Sequence, residues 1–513
     1  MLQQASTAAG PRSLPSDSIP DIERRMARAA NYHQWAEAAG EHDRWSGKEA
    51  WRIRDESGLY DWRSIQSRFE NIQRLRDEED DRALLFTLNE GIHGNMDGIA
   101  NEGLWQEARF GTKTLIHGYV EVVADALLHL ADPAVASITP EEKLDFFHRA
   151  SHCYGRSSLL LSGSGSFLYF HVGVAQALLE EGLLPTIIAG SSGGSAVGAM
   201  LCTHSDAELA KLLQPARLAE SGRGDQAAAS GPRYGLWLGD RAAQEEVAAS
   251  IARVVPDLTF QQAYELTGRH LNISVAPAQK HQNGRLLNAM TSPNVCIREA
   301  VLASCAVPGV YPPVALMARD HRGCRVPYLP DRLWVDGSVT HDLPTKRLSR
   351  LYGVNHHIVS QANPLITPFT TDMKQPRNSF EAIRRALGSS AKTWMSLNLQ
   401  LLEKPLSVFA PQLQELASMS LAVLNQDYLG DINIIRPPLF WPPSKLLAPP
   451  TDEEIAMLVD LGRRTTWPKI EMVRLQTEIS RTLEAIIERF DAPGEDASLH
   501  HKPATAERKR RQR

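Results

Sequence analysis

The segment that decides the fold is Ile187-Ile-Ala-Gly190-Ser191-Ser192-Gly193-Gly194-Ser195. It combines an apolar strand, a G-x-S-x-G turn and the start of a helix, which is the context that this motif requires. A tight strand-to-helix turn crowds backbone against backbone, so small residues are needed two positions either side of the central serine. Gly190 and Gly194 fill those positions. Ser192 is therefore predicted to be a nucleophile, whereas the neighbouring serines are not centred between glycines.

Apolar runs on both sides of this turn alternate with helical stretches. Ser158–Leu161 and Thr186–Ala189 are predicted strands, with a predicted helix at Val172–Glu181 between them. Further predicted strands lie at 271–275, 333–335 and 357–360. Strands that alternate with helices in this way indicate an α/β fold with a parallel sheet.

A second glycine-rich turn, Gly163-Ser164-Gly165, follows the first of these strands and precedes a helix. Backbone N–H groups in such a turn can converge on one point at a helix N-terminus, where negative charge is favoured. The turn could stabilise the oxyanion of an acyl-transfer intermediate, or it could cradle a phosphate. The sequence does not match the G-x-G-x-x-G motif of dinucleotide-binding proteins, because that motif would need glycine where Leu168 stands. The lysine of a Walker phosphate-binding motif is also absent.

A serine nucleophile needs a base, and no histidine has a strong local context. His341, His356 and His357 lie in a suitable region, but surface or capping roles are the more ordinary interpretation. In Leu333-Trp-Val-Asp336-Gly337-Ser338, an apolar strand delivers an aspartate onto a glycine turn. From this context alone, an ordinary Asp-Gly turn is the favoured interpretation.

Composition restricts the classes of function. The chain has 513 residues and a formal net charge of −5, which argues against nucleic acid as a partner. Its five cysteines are scattered, without a C-x-x-C pair, so we expect a reducing, cytoplasmic setting and no zinc site. We expect no metal and no other cofactor. The N-terminus lacks a signal-peptide pattern, and no run approaches roughly 18 uncharged apolar residues, so any membrane contact is expected from the surface.

The order of these blocks resembles the patatin-like phospholipase family, which uses a Ser–Asp dyad. The matching blocks are the turn at 163–166, the turn at 190–194, Asp336–Ser338, and the proline-containing stretch 303–313. The resemblance implies that Ser192 is the nucleophile and Asp336 its base. It also implies that Gly163, Ser164 and Gly165 form the oxyanion hole, with Gly337 completing the Asp turn.

The sequence resembles one branch of this family in particular. Tyr32–Asp61 and Val335–Pro344 are similar to the triacylglycerol-lipase branch, which includes yeast lipid-droplet, plant oil-body and bacterial enzymes. It implies triacylglycerol hydrolysis at a membrane or lipid-droplet surface. Phospholipase A or lysophospholipase activity and a catalytically weak lipid-binding protein are the alternatives.

The oxyanion turn departs from the family pattern. Ser164, Phe167 and Leu168 replace the usual second glycine, basic residue and last glycine. Gln176 stands where an acyltransferase signature starting at His171 would need an aspartate, so transacylation is less expected.

The resemblance implies an α/β architecture: a three-layer patatin-like domain with a central, mostly parallel sheet. We predict a disordered lead at 1–20, a helical N-terminal region at 21–150 and the catalytic domain at 155–365. A helical C-terminal extension follows at 366–490, and a disordered basic tail at 491–513. A small, polar segment at 220–232 is consistent with a loop beside the site or with a plain surface insertion.

Overall fold

The computed structural model describes residues 18–222, 241–279, 282–338, 342–364, 366–367, 429–439, 441 and 449–491. The basic tail, nearly all of the predicted lead, most of the 220–232 segment and most of the C-terminal extension lie outside the described residues. His341 does too. The predicted domain boundaries therefore remain predictions.

The N-terminal region is helical, in line with its polar and periodic sequence. Its helices are α1 (Ile19–Arg28), α2 (Tyr32–Trp45), α3 (Lys48–Ile53), α4 (Trp62–Asp77), α5 (Asp81–Gly91), α6 (Thr114–Ala131) and α7 (Pro140–Tyr154). Polar side chains fix several of the helix starts. Four side chains accept a hydrogen bond from a backbone N–H in the first turn of the helix that follows them: those of Asn31, Asp61, Asp80 and Thr139.

Helix α6 is the apolar centre of this region. By length and composition alone Thr114–Ala131 could cross a membrane. Its buried side chains, such as Leu127 and Leu130, instead belong to the main hydrophobic core, where the helix packs against α4 and a C-terminal helix, α17 (Ile470–Asp491). Burial of this kind is what the core helix of a folded protein shows.

The central sheet is mostly parallel, as the sequence predicts. Its strands are β1 (Arg156–Leu161), β2 (Ile187–Gly190), β3 (His270–Pro277), β4 (Arg285–Leu287), β7 (Trp334–Asp336), β8 (Val354–Gln361) and β9 (Ile432–Ile435). The spatial order is β4-β3-β2-β1-β8-β9, with β7 also paired to β3. Among the described strands of this sheet, only β4 and β7 run antiparallel to their neighbour. A separate hairpin contains β5 (Met317–Arg319) and β6 (Arg325–Pro327).

Helices cover both faces of the sheet. The remaining helices are α8 (Leu168–Glu180), α9 (Gly193–Cys202), α10 (Asp206–Leu212), α11 (Pro215–Gly222), α12 (Arg241–Val254), α13 (Phe260–Thr267), α14 (Ile297–Ser304), α15 (Thr345–Tyr352) and α16 (Asp452–Thr466). Successive strand residues point to opposite faces. Leu159 and Leu161 accordingly lie in the main core, whereas Leu160 joins a smaller cluster with Leu348 and Tyr352 of α15.

The segment beyond residue 365 is not purely helical. Its strand β9 pairs in parallel with β8 and so belongs to the central sheet. Helix α16 crosses α8 at two glycines: a Cβ added to Gly173 would lie 2.0 Å from the Val459 carbonyl oxygen, and one on Gly462 2.2 Å from that of Phe170. The predicted catalytic domain therefore shares its sheet and its helix packing with the C-terminal region.

Candidate active site

The nucleophile turn joins β2 to α9 at the carboxyl edge of the sheet. Ser192 has φ +50° and ψ −128°, a region that non-glycine residues rarely occupy. A Cβ on Gly190 would lie 2.4 Å from the Gly194 carbonyl oxygen, and one on Gly194 2.3 Å from that of Leu161. The two glycines are thus required by close backbone contact, and the strained turn presents a serine that is 9% exposed.

A serine on another helix supports this turn. The Ser192 N–H donates to Ser304 Oγ at 2.9 Å, and that hydroxyl donates to the Ser274 carbonyl at 2.8 Å. Ser304 is the last residue of α14 and is fully buried. It lies in the stretch 303–313 singled out by the sequence, although nothing in the sequence identified its particular contact.

Sheet register places Asp336 beside Ser192. Gly190 of β2 pairs with Ile273 of β3, and Val275, two residues further along β3, pairs with Asp336 of β7. The Asp336 backbone N–H donates to the Ala306 carbonyl at 3.0 Å. The Asp336 carboxylate lies within hydrogen-bonding reach of the Ser192 side chain, which is one of the groups that lower its pKa.

The environment of Asp336 favours its neutral form. The side chain is 2% exposed, and burial is the main cause that raises its pKa from 3.8 to about 7. Hydrogen bonds oppose this shift, among them one from the Ser338 N–H at 2.8 Å, while the nearby carboxylate of Asp342 adds to it. A carboxyl group with a pKa near neutrality is suited to accept and return a proton.

The second glycine-rich turn packs directly against the nucleophile turn. A Cβ on Gly193 would lie 2.5 Å from Ser164 Oγ and 3.0 Å from the Gly165 carbonyl oxygen. Ser164 has φ −144° and ψ −14°, and Gly165 has φ +53°. The Ser164 hydroxyl is buried and has no hydrogen-bond partner among the residues that the structure describes.

The three predicted oxyanion donors differ in their surroundings. The Gly163 N–H already donates to Asp342 Oδ1 at 2.8 Å. From this turn, Ser164 and Gly165 are therefore the better candidates for a substrate oxygen. Gly193 is a further candidate, because it is the first residue of α9 and the first N–H groups of a helix have no acceptor within that helix.

The residues that depart from the family pattern are accommodated in the core. Phe167 stands where a basic residue is usual, and the buried Arg436 guanidinium lies 4.0 Å from the centre of its ring. The positive charge near this turn thus comes from the residue after β9. Leu168 begins α8. A Cβ added to Gly193 would lie 3.1 Å from the Leu168 Cβ, so glycine at position 193 makes room for the leucine.

The described histidines do not reach Ser192. His356 and His357 hydrogen-bond through Nδ1 to Ser157 and Ser158, at the amino end of β1 and away from the nucleophile turn. His171 is fully buried, with Nδ1 2.7 Å from Ser360 Oγ and Nε2 3.0 Å from the Ser162 carbonyl oxygen. Burial lowers the pKa of His171 to about 4, so this ring is neutral and supports the strand ends.

Asp342 is the main residue of the site that the sequence did not identify. It is fully buried, accepts the Gly163 N–H, and hydrogen-bonds to the hydroxyl of Ser191. Its place in the Val335–Pro344 block indicated its position near the site, but nothing in the sequence indicated its chemical role. Within the described part of the chain, no group of three or more His, Cys, Asp or Glu residues could hold a metal ion.

Comparison with known proteins gives two family matches. Residues 159–348 match the patatin-like phospholipase family, and residues 16–152 match a domain of unknown function, DUF3336. A patatin-like phospholipase domain-containing protein of Meyerozyma guilliermondii is 32% identical over 94% of this chain and 69% of its own length.

Two relatives are named triacylglycerol lipases. The one from Arabidopsis thaliana is 34% identical over 90% of this chain and 58% of its own length. The one from Schizosaccharomyces pombe is 30% identical over 90% of this chain and 74% of its own length. Among solved structures, VipD from Legionella pneumophila matches with a TM-score of 0.28 and 13% identity, over 60% of this chain and 67% of that one.

Proposed function

Because this chain belongs to the patatin-like phospholipase family and is a lipid ester hydrolase, we propose that it cleaves triacylglycerol with a Ser192–Asp336 dyad. The observation that carries the proposal is the contact between a strained, buried serine and a carboxyl group whose pKa is raised to about 7. The choice of triacylglycerol as substrate is supported by two relatives that are named triacylglycerol lipases.

In the proposed acylation step, Asp336 accepts the proton of the Ser192 hydroxyl as its oxygen attacks the ester carbonyl. The resulting oxyanion accepts hydrogen bonds from the N–H groups of Ser164, Gly165 and Gly193, which lie at the starts of two helical segments. When the intermediate collapses, the ester C–O bond breaks and the leaving alcohol takes the proton from Asp336. An acyl group then remains on Ser192.

Deacylation repeats these steps with water as the attacking group in place of the Ser192 hydroxyl. Asp336 accepts a proton from the attacking water, the same N–H groups bind the second oxyanion, and Ser192 recovers its proton as the fatty acid leaves. Each proton accepted is returned within the same half-reaction, so the cycle needs no other acid.

We propose that the protein works in the cytoplasm, at the surface of a membrane or lipid droplet. All five cysteines are free thiols, which suits a reducing compartment. The basic segment at the end of the chain could add electrostatic attraction to anionic headgroups. Flotation of the protein with lipid droplets or anionic vesicles, at low and high salt, tests this placement. Failure to float at either salt concentration would contradict it.

The activity test combines active-site labelling with a substrate panel. Wild type and Ser192→Ala are treated with a fluorophosphonate probe and assayed on triacylglycerol, diacylglycerol, phosphatidylcholine and lysophospholipid. We expect labelling and triacylglycerol hydrolysis in wild type only. Ser349→Ala, an exposed serine on α15, is the matched control and should behave as wild type.

The panel also separates the alternatives. Faster hydrolysis of phosphatidylcholine than of triacylglycerol would reassign the substrate and leave the dyad in place. A folded wild type that neither labels nor hydrolyses any ester would contradict the proposed dyad chemistry, and so would activity retained by Ser192→Ala.

A further inference from the structure

A second serine–carboxylate pair lies directly beside the proposed dyad. Ser191, the residue before the nucleophile, hydrogen-bonds through its hydroxyl to Asp342, and both residues are fully buried. Asp342 also accepts the Gly163 N–H at 2.8 Å. Because Ser191 has no exposed surface, it cannot receive a substrate carbonyl, and this pair must have a role other than nucleophilic attack.

The contacts of Asp342 connect the two turns that form the site. Gly163 opens the oxyanion turn after β1, and Ser191 opens the nucleophile turn after β2. A hydrogen bond with the Asn363 side chain, just beyond β8, attaches the same carboxylate to the next strand. One side chain therefore contacts the loops at the carboxyl ends of three adjacent parallel strands.

We propose that Asp342 is a positioning residue that locks the oxyanion turn to the nucleophile turn and places a second negative charge near Asp336. The proposal rests on the proposed Ser192–Asp336 dyad. The first role fixes the distance between the attacking oxygen and the oxyanion donors, where small displacements slow catalysis strongly. The second makes Asp336 a stronger base.

The charges around the pair support the electrostatic role. Burial raises the pKa of Asp342 to about 6, so this carboxyl group is largely ionised at neutral pH. After burial, its charge is the other influence that raises the pKa of Asp336, while Ser338 and Ser192 lower it through hydrogen bonds. Cys305 also faces Asp336, but burial raises the pKa of this thiol to about 12, so it stays neutral.

Asp342→Asn separates the two roles. The asparagine carbonyl oxygen can still accept from Gly163 and Ser191, so positioning is retained while the charge is lost. With less repulsion, Asp336 ionises at lower pH and becomes a weaker base. Asp342→Ala removes both the charge and the hydrogen bonds.

The test is the pH profile of kcat/KM for the full-length protein on a soluble ester that wild type hydrolyses. In Asp342→Asn we expect the acid-side midpoint to move down by about 1 unit, within the range that a neighbouring charge produces. The plateau should fall less than tenfold. In Asp342→Ala we expect the same shift and a plateau reduced by about 100-fold, as for a displaced catalytic group. Asp460→Asn, on an exposed turn of α16, is the control and should match wild type.

An unchanged or raised midpoint in Asp342→Asn would overturn the electrostatic role, and equal plateaus for Asn and Ala would overturn the positioning role. If Asp342→Asn fails to fold, the pH profile of Ser191→Ala tests the electrostatic role instead. Loss of this hydroxyl raises the pKa of Asp342, so the midpoint should again move down, and no movement would contradict the proposal. Failure of the dyad itself is recognised separately, because wild type would then lack Ser192-dependent activity in the same assay.

Discussion

Replacing Asp336 with asparagine is expected to abolish activity and yet stabilise the folded protein. The carboxyl group is buried beside a second carboxylate, and its pKa is raised from 3.8 to about 7. A group that holds its proton more tightly when folded lowers stability as pH rises between these two values. The neutral amide avoids that loss.

The magnitude follows from the size of the shift. A rise of about three in the pKa corresponds to about 4 kcal/mol of destabilisation above pH 7, because each pKa unit is worth about 1.4 kcal/mol. The asparagine oxygen keeps the hydrogen bond from the Ser338 N–H, but the new NH₂ group must be desolvated. We therefore expect a net gain of about 2 kcal/mol at pH 8, which is roughly half of the full electrostatic term. At pH 5 the folded protein still holds the proton while the unfolded chain has lost it, so the electrostatic penalty is only about 1.6 kcal/mol and the desolvation of the amide offsets most of it. The gain there should therefore be small.

Urea denaturation of wild type and Asp336→Asn at pH 5 and pH 8 measures this difference. The midpoint should rise at pH 8 and change little at pH 5, and Asp460→Asn should show no such dependence because Asp460 is exposed. If Asp336→Asn is no more stable than wild type at pH 8, or gains equally at both pH values, the electrostatic account of the site is refuted.

Three further outcomes are expected. The kcat/KM of wild type should rise with pH to a plateau, with a midpoint near 7, since Asp336 must be ionised to act as base; a pH-independent rate between 5 and 9 would contradict this. Ser164→Ala should lower kcat no more than about tenfold if only its N–H is used, while a loss of 100-fold or more would assign the buried hydroxyl to the oxyanion hole. Gly194→Ala should yield unfolded or insoluble protein, because its Cβ would lie 2.3 Å from the Leu161 carbonyl oxygen; Gly58→Ala, with open space around it, should fold normally.

The nucleophile turn could be predicted from sequence because its determinants are local. Strand β2, two glycines and helix α9 lie within one short stretch, and the backbone contacts of Gly190 and Gly194 follow from the turn itself. The predicted central strands were confirmed for the same reason, since each is a short apolar run. The family and the mostly parallel α/β fold were likewise confirmed.

The supporting contacts could not be predicted, because they join distant parts of the chain. Gly163 and Asp342 are 179 positions apart, and Ser192 and Ser304 are 112 apart. The packing of β7 and α14 onto the central sheet, which no local pattern specifies, brings them together. Strand β9 was missed because its four residues lie within the segment 366–490 that was predicted to be helical, and pairing with β8 decides its conformation.

The site combines features that each lower stability: a serine in strained backbone, a buried hydroxyl with no partner in the described part of the chain, and two buried carboxyl groups. Strained backbone of this kind persists only where the surrounding structure fixes it. Here the main hydrophobic core supplies that support, for it extends continuously from Ala29 in the N-terminal region to Ile486 in α17. The flanking helices therefore share one hydrophobic core with the site. Their large buried side chains, such as Trp105 and Trp467, add to the hydrophobic core that surrounds the proposed site.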